Sequence, residues 1–384
     1  MRRREFLIES GRTALGFGAL SLAACSSRTP TPPKDAFLES LVAAWEAGIP
    51  GWLQETKMPA VSIAIVRDGR LAWRRAFGVK DTGTNEPVDV DSVFAACSDT
   101  KPVFAYGVVK LCEKGVLDLD TPLTKYTTRR ITADPRIERI TTRHVLNHTT
   151  GFPNWRQGQD LPIEFDPGSR NQYSGEGFGY LQSVVEEITH KSFVDFMHDD
   201  VLKPLGMTSS RVAYEKGTDY ARRVVSNHDQ SGRRHPDNPV TPQKRAEDIA
   251  RYGAAAALKT TPTDYATFLL EFLDPKPADA FRLNHASRAE MLRPQVKKTN
   301  TAQEGLAWEL EQIEGIPTLF GHAGSADGWY CFTSGCTQRR SGLMVMLNGD
   351  PYVPFLLKML ANPSGPPSPP KTIWPDFAKR FFAA

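Results

Sequence analysis

The chain has 384 residues, of which 40% are hydrophobic, 24% are charged and 10% are aromatic. This composition is that of a folded globular protein, and it excludes a disordered chain, a collagen-like repeat and a coiled coil. The formal charge is +3, from 47 basic and 44 acidic residues, and without a basic stripe the sequence does not indicate a nucleic-acid partner.

The first 24 residues have the features of an export signal. Arg3-Arg4-Glu5-Phe6-Leu7 fits the twin-arginine pattern, and a mildly apolar stretch over 13–24 follows that is too short to span a bilayer. The stretch ends at Cys25, behind small residues that resemble the lipobox of bacterial lipoproteins. We therefore predict a lipoprotein-type twin-arginine signal peptide over 1–24 and lipidation of Cys25. The alternative is an uncleaved anchor, with Cys25 behind small residues by chance.

Residues 25–34 are rich in Ser, Thr and Pro, which is typical of an extended tether. Together with the signal peptide, this predicts an exported, periplasmic protein that is anchored to a bacterial membrane through lipid. Ser26, directly behind Cys25, favours the outer membrane by its similarity to sorting patterns.

The remaining chain, 35–384, shows strand patterns near both ends and helix patterns between them. A helix is predicted over 36–47, and a hairpin is predicted where the β-rich runs 60–66 and 71–73 flank Asp68-Gly69. A second helix is expected to begin near Ser98 and to end before Gly115. Further helices are expected over 179–189 and 262–272, and strands over 329–333 and 342–347.

This order predicts one antiparallel sheet built from both ends of the domain. The α/β part would comprise about 35–110 and 291–384, and a mainly helical part of about 111–290 would be inserted between them. Cys331 and Cys336 could pair across a hairpin in an oxidising periplasm, although the cysteine spacing alone does not establish a disulfide. His228 and His235 lie in the polar stretch 226–238, where we expect them to be solvated.

The candidate chemistry begins with Ser98 and Lys101. Residues three apart share a face of a helix, so these two side chains are expected to point the same way. A serine hydroxyl becomes a good nucleophile when a neighbouring base takes its proton, and a lysine amine can do this if burial lowers its pKa. Proline is tolerated in the first turn of a helix but costs about 3 kcal/mol in the interior, so Pro102 places Ser98 at the helix N-terminus. Alone, this pattern is also compatible with a capping serine and a solvated lysine.

The surrounding segments strengthen the interpretation, because together they resemble the superfamily of serine β-lactamases and penicillin-binding proteins. The resemblance is to the branch that contains class C β-lactamases, D-alanyl-D-alanine carboxypeptidases and related esterases. The matching segments occur in the usual order, from about Phe37 to Gly349: Ser98-Asp99-Thr100-Lys101, 115–123, 140–152, Tyr173-Ser174-Gly175, 204–207 and Gly321-His322-Ala323-Gly324-Ser325.

The resemblance implies roles for individual residues. Ser98 would be the acylated nucleophile, Lys101 its proton partner, and Tyr173 the phenol that relays protons to the leaving group and activates water. His322 and Gly324 would stand in the third motif, on a strand that lines the cleft. The backbone N–H groups of Ser98 and Ser325 would then form the oxyanion hole.

Two positions depart from the common family pattern. Many members have Asn two residues after the tyrosine, where this chain has Gly175, so recognition of an acylamino side chain is not expected to follow the usual pattern. Typical β-lactamases have Lys at the start of the third motif, where this chain has His322. Histidine offers a hydrogen bond or a partial positive charge near neutral pH in place of a fixed ammonium.

His144 and His148 are spaced as a metal-binding pair would be, but no third ligand follows at a recognisable spacing, and the resemblance makes them structural residues. Trp155 and Trp329 could line the cleft.

We therefore predict an α/β (α+β) fold of the β-lactamase/transpeptidase type, with an antiparallel sheet flanked by helices and an inserted, mainly helical domain. The predicted function is hydrolysis of an ester or amide of the cell envelope, a small molecule or a peptide, through an acyl-enzyme on Ser98, without metal or organic cofactor. Esterase, D-amino-acid peptidase and β-lactamase activities stay open. The alternative is a lipid-tethered penicillin-binding or scaffold protein with little or no turnover.

Overall fold

The computed structural model describes residues 35–158, 160–236, 241–361 and 370–383. The helices are α1 (Ala36–Thr56), α2 (Thr100–Glu113), α3 (Thr142–Leu146), α4 (Gly175–Thr189), α5 (Phe193–Asp195), α6 (Lys203–Leu205), α7 (Asp219–Arg223), α8 (Pro242–Ala256), α9 (Pro262–Leu273), α10 (His285–Met291), α11 (Tyr352–Leu360) and α12 (Ile373–Ala383). The predicted signal peptide, tether and lipidated Cys25 lie outside the described residues.

The strands are β1 (Ala60–Arg67), β2 (Arg70–Asp81), β3 (Glu86–Pro87), β4 (Phe94–Ala95), β5 (Lys259–Thr260), β6 (Val296–Lys297), β7 (Ala302–Glu304), β8 (Glu309–Glu311), β9 (Leu319–Ala326), β10 (Trp329–Cys336) and β11 (Ser341–Leu347). Nine of them form one antiparallel sheet in the order β3-β2-β1-β11-β10-β9-β8-β7-β6. β1, from the start of the domain, pairs with β11, from near its end, with Ile63 opposite Val345. The predicted sheet built from both ends of the domain is therefore confirmed.

The sheet is covered on both faces, which explains why its central strands are so apolar. Every residue of β1 and of β11 is buried. Alternating side chains of these strands contribute to two separate cores: one includes α1, α11 and α12, and the other includes α2, α4 and α9. The sequence of a strand that is covered on both faces is a nearly continuous run of apolar residues, and the segment 60–66 has this pattern.

Two expected elements differ in detail. The first helix is longer than the predicted 36–47, because buried side chains continue at four-residue spacing beyond Trp45, at Ile49 and Leu53, in spite of Pro50. The hairpin turn has the predicted position, and both Asp68 and Gly69 have positive φ angles. Such angles match the twist of the flanking strands.

One possibility that the sequence left open is excluded, and one further expectation, that His228 is solvated, is wrong. Cys331 and Cys336 lie on one strand, β10, and both are free thiols, so they cannot pair across a hairpin. His228 is fully buried and not solvated: its Nδ1 lies 2.8 Å from the Asn348 carbonyl oxygen, and its Nε2 accepts a hydrogen bond from the Thr82 N–H at 3.1 Å.

Candidate active site

Ser98 lies in a tight 3₁₀ turn, Cys97–Asp99, that leads directly into α2. Cys97, immediately before it, has a φ of 44°, a left-handed conformation that costs an ordinary residue about 1 kcal/mol or more. Ser98 is partly exposed, whereas Cys97 and Asp99 on either side are buried. The turn therefore presents one hydroxyl to the cleft, and Pro102 occupies the first turn of the helix that follows, as predicted.

Lys101 shares a face with Ser98 and is 1% exposed. Its Nζ lies 3.2 Å from the Ser98 Oγ and donates a hydrogen bond to the Ala255 carbonyl oxygen at 2.9 Å. Burial lowers the pKa of Lys101 from 10.5 to about 7, because the charged form loses its hydration. Near neutral pH a substantial fraction of this side chain is therefore a free amine that can accept the Ser98 proton.

Tyr173 completes the predicted group of three. The Nζ of Lys101 lies 4.7 Å from the centre of the Tyr173 ring. Burial raises the pKa of Tyr173, and an interaction with Ser98 opposes that rise. Within the part of the chain that the structure describes, the buried Tyr173 hydroxyl makes no hydrogen bond of normal geometry. The structure thus brings Ser98, Lys101 and Tyr173 into one pocket, and their catalytic roles stay a prediction.

The backbone on either side of Tyr173 is held by its neighbours. His148 packs against the Tyr173 ring with a centroid separation of 4.3 Å, and its Nδ1 accepts a hydrogen bond from the Ser174 N–H at 3.1 Å. The Ser174 hydroxyl caps α4 by accepting from the Gly177 N–H and donates to the Pro153 carbonyl oxygen. His148 is therefore a structural residue beneath the tyrosine.

His144 is also structural, because it forms the capping box of α3 with Thr141. Among the described ranges, no group of three His, Cys, Asp or Glu side chains is arranged to hold a metal ion.

The third motif lies on β9, which passes very close to the nucleophile turn. A Cβ atom built on Gly324 would lie 2.5 Å from the Ala96 carbonyl oxygen and 2.8 Å from the Ser98 nitrogen. Only glycine fits such an approach of two backbones. The contact brings the backbone of β9, which continues through Ser325 to Ala326, close to the Ser98 nitrogen, as the predicted oxyanion hole requires.

The space around the Gly175 Cα atom is also restricted, in this case by a side chain. A Cβ atom at Gly175 would lie 2.2 Å from the indole ring of Trp155. The same indole packs edge-on against Tyr252, with a centroid separation of 4.8 Å. The space that a side chain at position 175 would need is therefore filled by an aromatic wall, which is formed by the Trp155 ring. That Trp155 lines the cleft stays a prediction.

A cavity of about 400 Å³ begins beside this wall. Its lining includes Val212, Ile249, Tyr252, Ala256 and Lys259. Ala256 follows Ala255, whose carbonyl oxygen accepts the hydrogen bond from Lys101. The Nζ of Lys259, which lines this cavity, lies 5.1 Å from the ring of Trp329.

Sequence reasoning missed two buried carboxylates near the site. Asp99 is fully buried, and its Oδ1 lies 3.5 Å from the Nδ1 of His322. Glu304, on β7, is 2% exposed, and burial raises its pKa to about 8. The position of Asp99 inside the Ser98–Lys101 segment was visible in the sequence. The position of Glu304 depends on sheet pairing across three short strands, which no local pattern indicates.

Comparison with known proteins gives a consistent assignment. The family model described as Beta-lactamase matches residues 36–361. Esterase EstB of Burkholderia gladioli is 30% identical over 199 residues, which cover 44% of this chain and 50% of that protein. Protein flp of Staphylococcus aureus is 22% identical over 328 residues, 80% of this chain and 63% of that protein. The chain thus spans about half to two thirds of these relatives.

Two solved structures have the same fold. The octameric penicillin-binding protein homologue from Pyrococcus abyssi superposes with a TM-score of 0.69 at 22% identity, over 83% of this chain and 76% of that one. The D-alanine carboxypeptidase AmpC from Burkholderia cenocepacia superposes with a TM-score of 0.67 at 17% identity, over 84% of this chain and 97% of that one. The predicted fold class is therefore confirmed.

Proposed function

The chain belongs to the beta-lactamase family, and on that premise we propose that it is a serine hydrolase that cleaves carboxylic esters through an acyl-enzyme on Ser98. The observation that carries this proposal is the contact between Ser98 and Lys101. A 1%-exposed lysine whose pKa is lowered to about 7, with its Nζ 3.2 Å from a partly exposed hydroxyl, has the geometry and the basicity of a nucleophile–base pair.

In the first half of the reaction, the Ser98 Oγ adds to the ester carbonyl carbon while the neutral Lys101 amine takes the hydroxyl proton. The carbonyl oxygen becomes negatively charged and is stabilised by the backbone N–H groups of Ser98 and Ser325. Collapse breaks the bond to the alcohol oxygen, which receives a proton from the Lys101 ammonium through the Tyr173 hydroxyl. The alcohol leaves, and the acyl group stays on Ser98.

In the second half, water adds to the acyl-enzyme. The Tyr173 hydroxyl and Lys101 together accept the water proton as the new C–O bond forms. Collapse breaks the bond to the Ser98 Oγ, which regains a proton from Lys101, and the carboxylic acid is released. We assign Tyr173 to both halves because its ring lies beside the Lys101 amine, with 4.7 Å between the Nζ and the ring centre.

The wall beside the nucleophile favours ester substrates over acylamino substrates. An acylamino side chain needs a hydrogen-bond partner in the cleft. The Trp155 ring, 2.2 Å from where a Cβ atom on Gly175 would lie, fills the space of the amide that many relatives carry there. Tyr252, which packs against Trp155, and Ile249 line a cavity whose aromatic and aliphatic contacts suit an apolar acyl chain. The likeness to esterase EstB over half of that protein's length supports the same choice.

The test is a substrate panel on purified protein: p-nitrophenyl esters of increasing acyl length, nitrocefin and a D-Ala-D-Ala peptide, each compared with Ser98→Ala. We expect ester turnover to exceed the other two activities and to fall by about 10³-fold or more in Ser98→Ala. Equal ester turnover in the two proteins would refute the proposal. A stoichiometric burst without turnover would support the alternative of a penicillin-binding protein that acylates but scarcely hydrolyses.

We also propose that the protein is exported and held at a membrane through lipid on Cys25. The support is the sequence of residues 1–25 alone. No helix in the described part of the chain combines the length and apolar character needed to cross a bilayer. Mass spectrometry of the mature N-terminus, with Cys25→Ala as the control, tests this: a diacylated Cys25 at the N-terminus supports it, and an intact Met1 contradicts it.

A further inference from the structure

Trp155 is anchored to the start of α4 through the residues on either side of it. Before it, the Asn154 carbonyl oxygen accepts hydrogen bonds from the backbone N–H groups of Gly175 and Glu176, both at 3.0 Å. The Asn154 Oδ1 accepts from the Gly175 N–H as well, also at 3.0 Å. The backbone that leads into Trp155 is therefore tied directly to the residue that the indole covers.

After Trp155, the Glu176 side chain binds the next residue, Arg156. One carboxylate oxygen, Oε1, accepts from the Arg156 backbone N–H at 3.0 Å. The other, Oε2, accepts from the Arg156 Nε at 2.9 Å and from its Nη2 at 2.6 Å. Hydrogen bonds between charged groups are stronger than neutral ones. A single carboxylate thus holds both the main chain and the side chain of the residue that follows the indole.

Arg251, on α8, is the third charged group of this arrangement. Its Nη2 lies 3.6 Å from the Glu176 Oε1 and donates to the Arg156 carbonyl oxygen at 3.4 Å. Its guanidinium carbon lies 5.0 Å from the ring centre of Tyr252, the residue whose ring packs edge-on against Trp155. We call Glu176, Arg156 and Arg251 the Trp155 clamp, because they join α4 and α8 around the indole.

The charge of Glu176 maintains the clamp. Its side chain is 4% exposed and lies in the first turn of α4, where the helix dipole favours a negative charge. Burial alone would raise the pKa of Glu176, but hydrogen bonds from Arg156 and the charges of Arg156 and Arg251 lower it below its usual range. The carboxylate is therefore ionised at neutral pH, and a neutral side chain in its place would leave two guanidinium groups without their anion.

The clamp lies next to the catalytic group of the proposed reaction. Gly175 and Glu176 come two and three residues after Tyr173, which shares a pocket with Ser98 and Lys101. A ring held over Gly175 is therefore expected to meet the part of the acyl group that lies closest to the reacting carbonyl carbon.

We propose that Glu176 is a positioning residue for substrate selection: through the clamp it holds the Trp155 ring over Gly175, so that the site disfavours esters whose acyl group branches beside the carbonyl carbon. This preference rests on the proposed esterase function and on the predicted place of Trp155 in the cleft. The clamp itself rests only on the hydrogen bonds and ion pairs of the described residues.

The functional test compares two isomeric esters, p-nitrophenyl butyrate and p-nitrophenyl isobutyrate, in wild type and in Glu176→Gln. Glutamine keeps the shape of the side chain and removes its charge. We expect the ratio of kcat/KM for the branched ester to that for the linear ester to rise about fivefold, because the loosened ring gives way to the branch. An equal change for both esters would show a purely structural role and would overturn the proposal.

A second background separates positioning from folding. In Trp155→Ala the ring is absent, so the ratio should already be high, and the further change Glu176→Gln should alter it by less than a factor of about two. A rise as large as in the wild-type background would contradict the proposal, because Glu176 would then act without the indole.

Arg251→Gln provides a milder variant, since this side chain is 44% exposed. We expect a smaller rise of the same ratio, and an unchanged ratio would overturn the proposal even if Glu176→Gln failed to fold. Lys244→Gln is the matched control on α8, because it breaks an exposed ion pair, with Asp248, outside the clamp. It should leave the ratio unchanged.

A last measurement needs no turnover, so it stands even if the proposed esterase function fails. The protein is labelled with 5-fluorotryptophan, and the Trp155 signal in the ¹⁹F spectrum is assigned by comparison with Trp155→Phe. We expect this signal to shift and broaden in Glu176→Gln, with the other tryptophan signals as the internal control. The same position and line width in both proteins would refute the clamp. The expected spectra without ester turnover would refute the proposed function and still support the clamp.

Discussion

The indole ring of Trp155 occupies the space that any side chain at Gly175 would need, with a separation of only 2.2 Å between the two positions. The two residues lie 20 positions apart in the sequence, and the packing of one against the other places an aromatic ring beside the second motif. We propose that this packing contributes to the substrate preference of the site.

The first prediction concerns variants in which the residues of this wall, Trp155 and Gly175, are replaced. Gly175→Asn alone is expected to disturb Trp155 and to lower both ester turnover and Tm, because the new side chain has no space. Trp155→Ala with Gly175→Asn provides that space and returns an amide to the cleft. We expect the ratio of nitrocefin to ester turnover to rise about tenfold in the double variant relative to Trp155→Ala alone. An unchanged ratio would mean that the wall does not set the preference.

The second prediction concerns pH. Lys101 must be neutral to accept the Ser98 proton, and its pKa is about 7. The value of kcat/KM for a neutral ester should therefore rise with pH and level off above about pH 8. Measurement over the range from about pH 5 to about pH 9 tests this. A profile that is flat, or that falls as pH rises through 7, would exclude Lys101 as the base.

The third prediction concerns stability. Since the pKa of Lys101 falls from 10.5 to about 7 on burial, the folded state binds fewer protons than the unfolded one between these pH values. The resulting destabilisation is complete below about pH 7 and disappears above about pH 10. Lys101→Met should abolish turnover and raise Tm by a few degrees at pH 7, and the gain should shrink at higher pH.

Lys110 provides the control on the same helix. Its Nζ forms an ion pair with Glu113 at 2.6 Å and donates to the Arg282 carbonyl oxygen, so Lys110→Met should lower Tm. If Lys101→Met lowered Tm as well, the desolvation argument for Lys101 would be wrong.

The fourth prediction tests the approach of β9 to the nucleophile. Gly324→Ala places a methyl group 2.8 Å from the Ser98 nitrogen, which must shift the oxyanion donors. We expect kcat to fall about 10²-fold with a smaller change in Tm. Gly51→Ala is the matched control, because a Cβ there meets no atom within 4 Å, and it should leave kcat unchanged. Normal turnover in Gly324→Ala would show that this contact does not shape the oxyanion hole.

Local sequence patterns were sufficient to predict those elements whose conformation depends on residues that are close in the sequence. Asp68-Gly69 predicted a hairpin because its turn needs positive φ angles, and Pro102 placed Ser98 before a helix because proline is best tolerated in the first turn. The order of the family motifs then predicted the pocket that Ser98, Lys101 and Tyr173 share.

Contacts between distant segments were not predictable in this way. Strands β6, β7 and β8 have only two or three residues each, too few to show an alternating pattern. The burial of His228 depends on Asn348 and Thr82 from two other segments. Likewise, no periodicity relates Trp155 to Gly175, or Asp99 to His322.

The most direct test of the account is the identity of the acylated residue. The protein is labelled with a fluorophosphonate probe, its intact mass is measured, and the modified peptide is located by fragmentation. We predict one equivalent of label, on Ser98, no label in Ser98→Ala, and labelling slowed by at least about tenfold in Lys101→Met. Full labelling of Ser98→Ala, or a label on another serine in the wild-type protein, would contradict the central claim.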